Sequence, residues 1–231
     1  MNLIFSKLVL SLRRFYLNLS LPKFGYILSR KSSYGKYNIL DIGCGGGSPE
    51  LTKIVFPNSR YVAIDRDFCY HNSENSIKMI DRKIRHDLND KVEFLSEELN
   101  GEMFDIVIFN HTIEHTTKGL EVLRNIAPRI KNNGVIYIEF PSVRSLSLPR
   151  LKGTLNFCDD KTHLRLYSVL EIANLLLNEN FLIIKGGRRF NLFSIVLMPL
   201  RLISCIVCKK SPAGAIWDLV GFADFVFAIK K

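Results

Sequence analysis

The 231-residue chain is long enough for one large domain with its own hydrophobic core. A composition that is 47% hydrophobic and 23% charged excludes an intrinsically disordered chain. Five cysteines, an odd number scattered along the chain, argue against a framework of disulfides and favour a reducing cytoplasm as the location.

The formal net charge of +10 is concentrated at the two ends of the chain. Residues 1–36 hold seven basic residues and no acid, and residues 183–231 hold eight basic residues and two acids. Such an excess suits a phosphate-rich partner, either a nucleic acid or an anionic membrane surface. The alternative is a solvated basic rim that only keeps the protein soluble.

Met1–Leu21 is an apolar segment without the features of a cleavable signal peptide, since basic residues interrupt it and no small-residue cleavage site follows. As a helix it is amphipathic, and its apolar stripe consists of Phe5, Leu8, Leu12, Phe15 and Leu19. The stripe can lie on a membrane interface or pack against the rest of the protein. We predict a basic amphipathic helical segment over residues 1–36, followed by one domain over residues 37–231.

From Tyr37 onward, short β-branched runs alternate with helical patterns, which is typical of a parallel sheet covered by helices. In chain order, the pattern predicts a strand over Tyr37–Ile42, a helix over Ser48–Val55, a strand over Arg60–Ile64, a helix over Asn72–Arg85 and a strand over Val92–Leu95. It continues with a strand over Phe104–Phe109, a helix over Lys118–Ile130, a strand over Val135–Phe140, a helix capped by Ser168 that runs to about Asn178, and strands over Phe181–Lys185 and Asp224–Ile229.

An apolar insertion separates the last two predicted strands, over about residues 190–220. Its apolar part, Phe190–Cys208, is nearly long enough to span a bilayer, but Asn191, Pro199 and Arg201 interrupt it. We predict a helical hairpin here that covers the substrate cleft or touches a membrane.

A glycine-rich loop, Asp41-Ile42-Gly43-Cys44-Gly45-Gly46-Gly47, joins the first predicted strand to the first helix. Without Cβ atoms, such a loop lets the backbone approach a ligand closely at a helix N-terminus. Asp65, at the end of the second predicted strand, is placed to accept hydrogen bonds from ribose hydroxyls. The carboxylate of Asp41 would repel a pyrophosphate but suits the cationic amino-acid end of S-adenosylmethionine. The two acids therefore favour this sulfonium cofactor over a dinucleotide.

Several segments resemble the class I S-adenosylmethionine-dependent methyltransferases. Ile39–Gly47 resembles their first motif, Tyr61–Asp65 their second, and Phe104–His115 their fourth-strand segment. His163–Ser168, before a predicted helix, resembles the small-molecule branch that includes ubiquinone-type methyltransferases. The resemblance covers about residues 37–187 and the final strand. It implies an α/β, Rossmann-like fold with a seven-stranded, mostly parallel sheet, an antiparallel last strand, and helices on both faces.

The resemblance also implies a role for each residue that matches a motif. The implied cofactor-binding residues are Asp41, Gly43, Gly45 and Gly47 around the methionine moiety, Asp65 at the ribose, Glu97 near the adenine amine, and Asn110 facing the cofactor. Glu97, expected in the loop after the third strand, departs from the Asp that the family more often has there.

Methyl transfer from a sulfonium is an in-line displacement, for which a protein mainly supplies alignment and excludes water. An oxygen or nitrogen acceptor can also require a base, and the candidates are His111, His115 and His163. On a nascent helix His111 and His115 would share a face, with a spacing that metal ligands also use. No third ligand is evident, so we predict no metal site. The structural alternatives are that His115 orients its loop and that Glu114 caps a helix.

Three functions stay open on the sequence alone. The first is an enzyme that methylates a small-molecule, sugar or lipid-linked acceptor, in the cytoplasm, with or without peripheral contact with an anionic membrane. The second is an RNA or protein methyltransferase, which the basic charge favours; against it, we find no Asn/Asp-Pro-Pro-aromatic motif and no Pro-Cys nucleophile. The third is a non-catalytic S-adenosylmethionine-binding protein, against which the intact glycine loop argues. The oligomeric state is not indicated.

Overall fold

The alternating pattern folds into one β-sheet that carries helices on both faces. The computed structural model describes residues 2–45, 47–68, 73–99, 101–151, 153–209 and 211–231. In chain order the helices and strands are α1 (Asn2–Ser20), α2 (Pro22–Leu28), β1 (Asn38–Ile42), α3 (Ser48–Val55), β2 (Arg60–Asp65), α4 (Glu74–Lys78), β3 (Arg82–Arg85), α5 (Glu93–Glu98), β4 (Phe104–Asn110), α6 (Gly119–Ile126), β5 (Ile130–Pro141), α7 (Val169–Asn178), β6 (Phe181–Arg188), α8 (Leu192–Val196), α9 (Met198–Val207), α10 (Ala213–Val220) and β7 (Ala223–Lys230).

The strands form one seven-stranded sheet in the order β3-β2-β1-β4-β5-β7-β6. From β3 to β5 neighbouring strands are parallel, whereas β7 is antiparallel to both β5 and β6. This topology confirms the predicted Rossmann-like α/β class, with a mostly parallel sheet and an antiparallel last strand. The carboxyl ends of β1, β4 and β5 lie side by side, which is where open α/β sheets bind their ligands.

Both faces of the sheet are buried, because alternate residues of the central strands point to opposite sides. On one face Leu40 and Val107 pack with side chains of α6 and α7. On the other face Ile39 and Ile106 pack with side chains of α2 and α3. The prediction of helices on both faces is thereby confirmed.

Helix α2 lies within the segment predicted to precede the domain, yet it contributes to the core. The side chains of Phe24 and Ile27 are fully buried against the sheet. A domain boundary at residue 36 stays a prediction, but the chain before it already packs as part of the fold.

The predicted helix over Asn72–Arg85 is wrong in its second half. Residue 72 lies outside the described residues, α4 ends at Lys78, and β3 follows. Ile80 and Ile84 are both buried, a four-residue spacing that also suits a helix. However, Ile84 is flanked by exposed Lys83 and Arg85, and it pairs with Ile64 of β2. Pairing with β2 along the edge of the sheet therefore decides for a strand.

The predicted third strand over Val92–Leu95 is also wrong, because this segment belongs to α5 and its first turn. Val92, Leu95 and Leu99 are all buried. Their spacing of three and four residues places them on one face of a helix. The predicted strand contains only three apolar residues, Val92, Phe94 and Leu95, which are too few to distinguish the 3.6-residue period of a helix from the two-residue period of a strand.

The other predicted helices and strands are confirmed, with shifts at their ends. Ser168 caps α7 by accepting a hydrogen bond from the backbone N–H of Glu171 at 3.1 Å. Helix α6 ends at Ile126, and a 3-10 turn over Ala127–Arg129 continues it. Strand β5 begins at Ile130, before the predicted start, because it pairs with Phe104 ahead of a register shift.

Helix α1 does not bury the stripe that its sequence predicts. Leu8, Leu12 and Phe15 are 56%, 59% and 62% exposed, whereas Leu17 on another face is buried. The side chain of Phe5 lies outside the described residues. The alternative in which this stripe packs against the domain is therefore wrong.

The insertion forms three helices, α8, α9 and α10, where the sequence predicted a hairpin of two. It contacts α1: the rings of Tyr16 and Phe193 lie 5.9 Å apart, and the side-chain amide of Asn191 donates to the carbonyl oxygen of Leu19 at 2.7 Å. In the part of the chain that the structure describes, no helix combines the length and the apolar character needed to cross a membrane.

Candidate functional site

A cavity of about 560 Å³ opens at the carboxyl ends of β1, β4 and β5, a size in the range of small-molecule sites. Its wall combines the glycine loop, the end of β4, α2 and the insertion. The lining residues are Leu21, Pro22, Lys23, Asp41, Gly43, Cys44, Gly45, Ser48, Leu51, Asn110, His111, Glu139, Arg189 and Trp217.

The glycine loop requires glycine at the positions that the sequence predicts. Gly43, Gly45 and Gly47 have positive φ angles of 68°, 40° and 87°, which other residues adopt only with strain. A Cβ atom on Gly43 would also lie 2.2 Å from the side chain of Thr112. The loop therefore exposes its backbone to the cavity directly before α3, without side chains in between. Gly46 lies outside the described residues.

Asp65, at the end of β2, is held against this loop. One carboxylate oxygen accepts from the backbone N–H of Gly45 at 3.2 Å and lies 3.8 Å from Cys44 Sγ. The other oxygen accepts from the backbone N–H of Asp67 at 3.0 Å. The carboxylate is thus oriented beside the loop, in a position that suits the predicted ribose contact.

Asp41 is buried beneath the cavity and already has partners. It accepts hydrogen bonds from Ser48 Oγ at 2.6 Å and from Tyr61 Oη at 2.5 Å. Burial raises the pKa of its carboxyl group, and the nearby Lys23 ammonium opposes that shift. Asp41 therefore fixes the positions of the Ser48 and Tyr61 side chains and also forms part of the cavity wall.

Lys23, which the sequence reasoning missed, places an ammonium group in the same wall. Its side chain comes from α2 and donates to Ser48 Oγ at 3.0 Å. Burial lowers its pKa, and the charges of Asp41 and Glu139 oppose that shift. The only available signal was a lysine within the apolar run Leu19–Leu28, before the motif-bearing segment.

Asn110 ends β4 at the cavity, as predicted. Its side-chain oxygen is buried and has no hydrogen-bond partner among the described residues. A buried amide oxygen without a partner is costly, so it is available to a donor on a ligand. Together with the glycine loop, it makes this wall suitable for a ligand with hydrogen-bond donors.

Glu97 does not occupy the place that the sequence analysis assigned to it. Because the third strand is β3, the loop that follows it holds Asp87, whereas Glu97 lies exposed on α5. Both acids line a second cavity of about 990 Å³, together with Arg66 beyond the end of β2. The loop after β3 therefore holds two acids that line this cavity, Asp87 and Asp90, and both were missed because the strand was placed too late. Asp87 is the nearer of the two to the end of β3.

His111 belongs to a buried network of charges at the other side of the cavity. Its Nε2 lies 2.8 Å from Glu139 Oε1, and its Nδ1 lies 3.5 Å from Glu114 Oε1. Burial opposes the charged form, but the hydrogen bonds to Glu114 and Glu139 outweigh it and raise the pKa of His111 to about 9. His111 is therefore an imidazolium at neutral pH, which has no lone pair to act as a base.

Arg189 and Asp218 complete this network. Arg189 donates to Glu139 Oε1 at 2.8 Å and forms two bonds of 3.0 Å to the carboxylate of Asp218. Burial would raise the pKa of Glu139, but the charge of Arg189 and the hydrogen bond to His111 hold it well below its usual range. The insertion supplies Asp218, and its Trp217 lies 5.0 Å from the His111 ring, so it forms part of the site wall.

The three histidines proposed as catalytic candidates do not all lie at the cavity. His111 has a positive φ of 49°, and the short 3-10 turn begins only at Ile113, so His111 and His115 do not share a helical face. His115 lies beside His163, with ring centroids 4.9 Å apart. Of the three, only His111 lines the cavity.

Comparison with known proteins supports the assignment that the motifs indicated. A family model described as a methyltransferase domain matches residues 10–185. A ubiquinone biosynthesis O-methyltransferase of Rickettsia bellii (strain OSU 85-389) is 32% identical over 124 residues, which cover 50% of this chain and 48% of that protein. The chain thus spans about half the length of the curated relatives it matches.

Solved structures share the fold over nearly the whole chain. An S-adenosylmethionine-dependent methyltransferase from Mesorhizobium loti superposes with a TM-score of 0.60 at 14% identity, covering 90% of this chain and 97% of the other. One from Archaeoglobus fulgidus has a TM-score of 0.57 at 19% identity, covering 91% and 92%. Because the family model matches most of the chain, the protein belongs to the methyltransferase-domain family, and the solved structures show that it shares the fold of S-adenosylmethionine-dependent methyltransferases.

Proposed function

We propose that the protein transfers a methyl group from S-adenosylmethionine to a small-molecule, sugar or lipid-linked acceptor by in-line displacement. The observation that carries the proposal is the cavity between the glycine loop and the network around His111. The loop offers a place for the donor, and the opposite wall, made by Trp217 and Arg189, offers a place for the acceptor. Such a site aligns two reactants and excludes water, which is most of what this reaction requires.

The cofactor lies along the carboxyl ends of β1 and β2 in this proposal. Its methionine end contacts Gly43, Gly45 and Gly47, with Asp41 and Lys23 beneath it. The ammonium of Lys23 suits the α-carboxylate of the cofactor, and the carboxylate of Asp41 suits its α-ammonium.

The adenosine end of the cofactor extends past Asp65 in this proposal. Asp65 holds the ribose, Asn110 offers its unpartnered oxygen from β4, and Asp87 takes the adenine contact first assigned to Glu97.

The acceptor side of the cavity is polar at its base and aromatic at its rim. The imidazolium of His111 is held between Glu139 and Glu114, so it orients the wall and does not remove a proton. This arrangement supports an acceptor that is activated mainly by alignment. His115 and His163, which do not line the cavity, have no direct part in the transfer.

A lipid-linked acceptor is supported by the surface next to the insertion. We define the apolar surface as ten exposed side chains on α1, α8, α9 and at residue 190, namely Leu8, Leu12, Phe15, Phe190, Leu192, Val196, Leu200, Ile203, Ile206 and Val207. Exposed apolar side chains in such number mark an interaction site. The segments that carry it, residues 1–36 and 190–212, contain basic residues and no acid, which suits an anionic membrane.

One transfer experiment tests the acceptor class. The protein is incubated with methyl-labelled S-adenosylmethionine and, in parallel, with a lipid extract, a water-soluble metabolite fraction, and RNA. We expect label in the lipid or metabolite fraction and its loss in Asp65→Ala. Label in RNA alone, with RNA binding that weakens as salt rises, would instead support the nucleic-acid alternative that the +10 charge favours. If calorimetry shows no S-adenosylmethionine binding, the proposal fails.

A further inference from the structure

Glu114, His115 and His163 form a cluster outside the cavity. Glu114 and His115 lie on the 3-10 turn after β4, and His163 lies in the segment before α7. Backbone N–H groups of Leu164 and Arg165 donate to the carbonyl oxygen of Glu114 at 2.8 and 3.2 Å, which ties the two segments together. One potential ligand atom from each of the three residues lies within 4.8 Å of the other two.

The carboxylate of Glu114 is buried and incompletely paired. The residue is 1% exposed, and Oε2 has no hydrogen-bond partner among the described residues. Its Oε1 lies 3.9 Å from His163 Nε2, which is too long for a hydrogen bond. The imidazolium of His111, whose Nδ1 lies 3.5 Å from Oε1, already opposes the charge of this carboxylate, but the buried Oε2 is left open to a cation.

The proton positions on the two imidazoles follow from their partners. His163 Nδ1 lies 2.6 Å from the carbonyl oxygen of Phe157, which can only accept, so Nδ1 carries a proton. His115 Nδ1 lies 3.2 Å from the carbonyl oxygen of Thr162, and 2.9 Å from a Thr162 hydroxyl that itself donates to Asp160. Neutral rings therefore keep their lone pairs on Nε2.

Histidines that bind metals show this same arrangement, with one nitrogen fixed by a hydrogen bond to an oxygen and the other free for the ion. In the cluster, Nε2 of His163 lies 3.9 Å from Oε1 of Glu114, so two potential ligand atoms are neighbours. Two donors on one tetrahedral ion lie about 3.4 Å apart when each bond is about 2.1 Å, so a side-chain shift of about 0.5 Å brings this pair to metal-binding distance.

We propose that Glu114, His115 and His163 bind one divalent transition-metal ion, of the type of Zn²⁺ or Co²⁺. The spacing in the sequence pairs His115 with His111, but Nε2 of His111 is bonded to Glu139 and is not free for a metal. The fold replaces His111 with His163, from a distant segment. Three protein ligands leave one coordination position of a tetrahedral ion open to water or another oxygen ligand.

The site is tested with the full-length protein after treatment with a chelator. Titration with Co²⁺ should give the visible absorption of a tetrahedral cobalt site and saturate at one ion per chain, and Zn²⁺ should displace the cobalt. We expect His115→Gln and His163→Gln to weaken binding by at least about tenfold. His86→Gln, a change in a histidine outside the cluster, is the matched control and should bind as the wild type does.

Glu114→Gln changes a buried side chain and can therefore affect folding as well as metal binding. Circular dichroism of each variant accompanies the titration to show that it is folded. His115 is the less buried ligand, and its variant tests the site if the others fail to fold. No cobalt absorption, or unchanged binding in folded His115→Gln and His163→Gln, would overturn the proposal. Calorimetry with S-adenosylmethionine on the metal-free protein tests cofactor binding separately. Failure of the metal-site proposal is therefore distinguishable from failure of the methyltransferase proposal.

Discussion

The Nε2 atom of His111 lies 2.8 Å from Glu139 Oε1, at the wall between the cofactor loop and the insertion. His111 directly follows β4, and Glu139 lies near the end of the neighbouring parallel strand β5, so the sheet itself brings them together. Since Arg189 donates to the same oxygen of Glu139, one carboxylate connects the histidine to the chain that enters the insertion. The structure of this cavity wall therefore depends on buried charges of opposite sign that neutralise each other.

We predict that His111 titrates near pH 9, well above the ordinary value of 6.5. A pKa raised on folding stabilises the protein fully below pH 6.5, and this contribution is lost as pH rises through about 9. The contribution is at most about 3 kcal/mol at 25 °C. NMR titration of the imidazole and unfolding measured from pH 6 to pH 10 check it.

Glu139→Gln serves as the comparison for that titration. It removes the negative charge next to Nε2, so the pKa of His111 should fall while the ring stays in place. A wild-type pKa at or below 6.5 would contradict the charged network and restore His111 as a candidate base.

Lys23→Met should weaken S-adenosylmethionine binding about tenfold or more, because a charged hydrogen bond is worth about 1.5–3 kcal/mol. Its ammonium also orients Ser48, which donates to Asp41. Isothermal titration calorimetry measures the effect. Lys31→Met is the control, since Lys31 bonds to the carbonyl oxygen of Asn133 away from the cavity. An equal loss of S-adenosylmethionine affinity in both variants would show that the net positive charge of the protein matters and not the position of Lys23.

Asp87→Asn should weaken cofactor binding more than Glu97→Gln does, because only Asp87 lies in the loop after β3. Both substitutions remove one negative charge from the same cavity, so they form a matched pair. Calorimetry with S-adenosylmethionine and with S-adenosylhomocysteine ranks them. The reverse ranking would restore the first assignment of Glu97.

Gly43→Ala should abolish cofactor binding and lower stability. Positive φ alone costs an alanine about 1–3 kcal/mol, and the added Cβ would meet Thr112 at 2.2 Å. Gly214→Ala is the control: a Cβ there meets nothing within 4 Å, and this glycine lies in α10 with no positive φ. Thermal unfolding and calorimetry of both variants distinguish a local strain from a general intolerance of alanine.

Phe15→Glu and Ile206→Glu should each reduce co-sedimentation with anionic phosphatidylglycerol vesicles, because they place a like charge on the apolar surface. Leu170→Glu changes an equally exposed leucine on α7, away from that surface, and should bind as the wild type does. Absence of wild-type binding to anionic vesicles would remove the support for a lipid-linked acceptor but leave methyl transfer itself intact.

The sequence by itself determined the fold class, the glycine loop and the ends of the central strands. Phe104–Phe109 is an apolar run interrupted only by Asp105, which is typical of a strand buried on both faces, and Gly43 occupies a position that local backbone geometry requires to be glycine. Such features depend on residues close together in the chain, so their pattern is readable without the fold.

Only the tertiary structure decided the short edge elements and the partners of each charge. Arg82–Arg85 became a strand because β2 offered it a pairing edge, which placed Asp87 in the loop after the third strand. His111 became an imidazolium because β5 brought Glu139 beside it, and His163 joined Glu114 and His115 from a distant segment. The physical reason is the same in each case: hydrogen bonds and charges act over a few ångströms in space, regardless of separation along the chain.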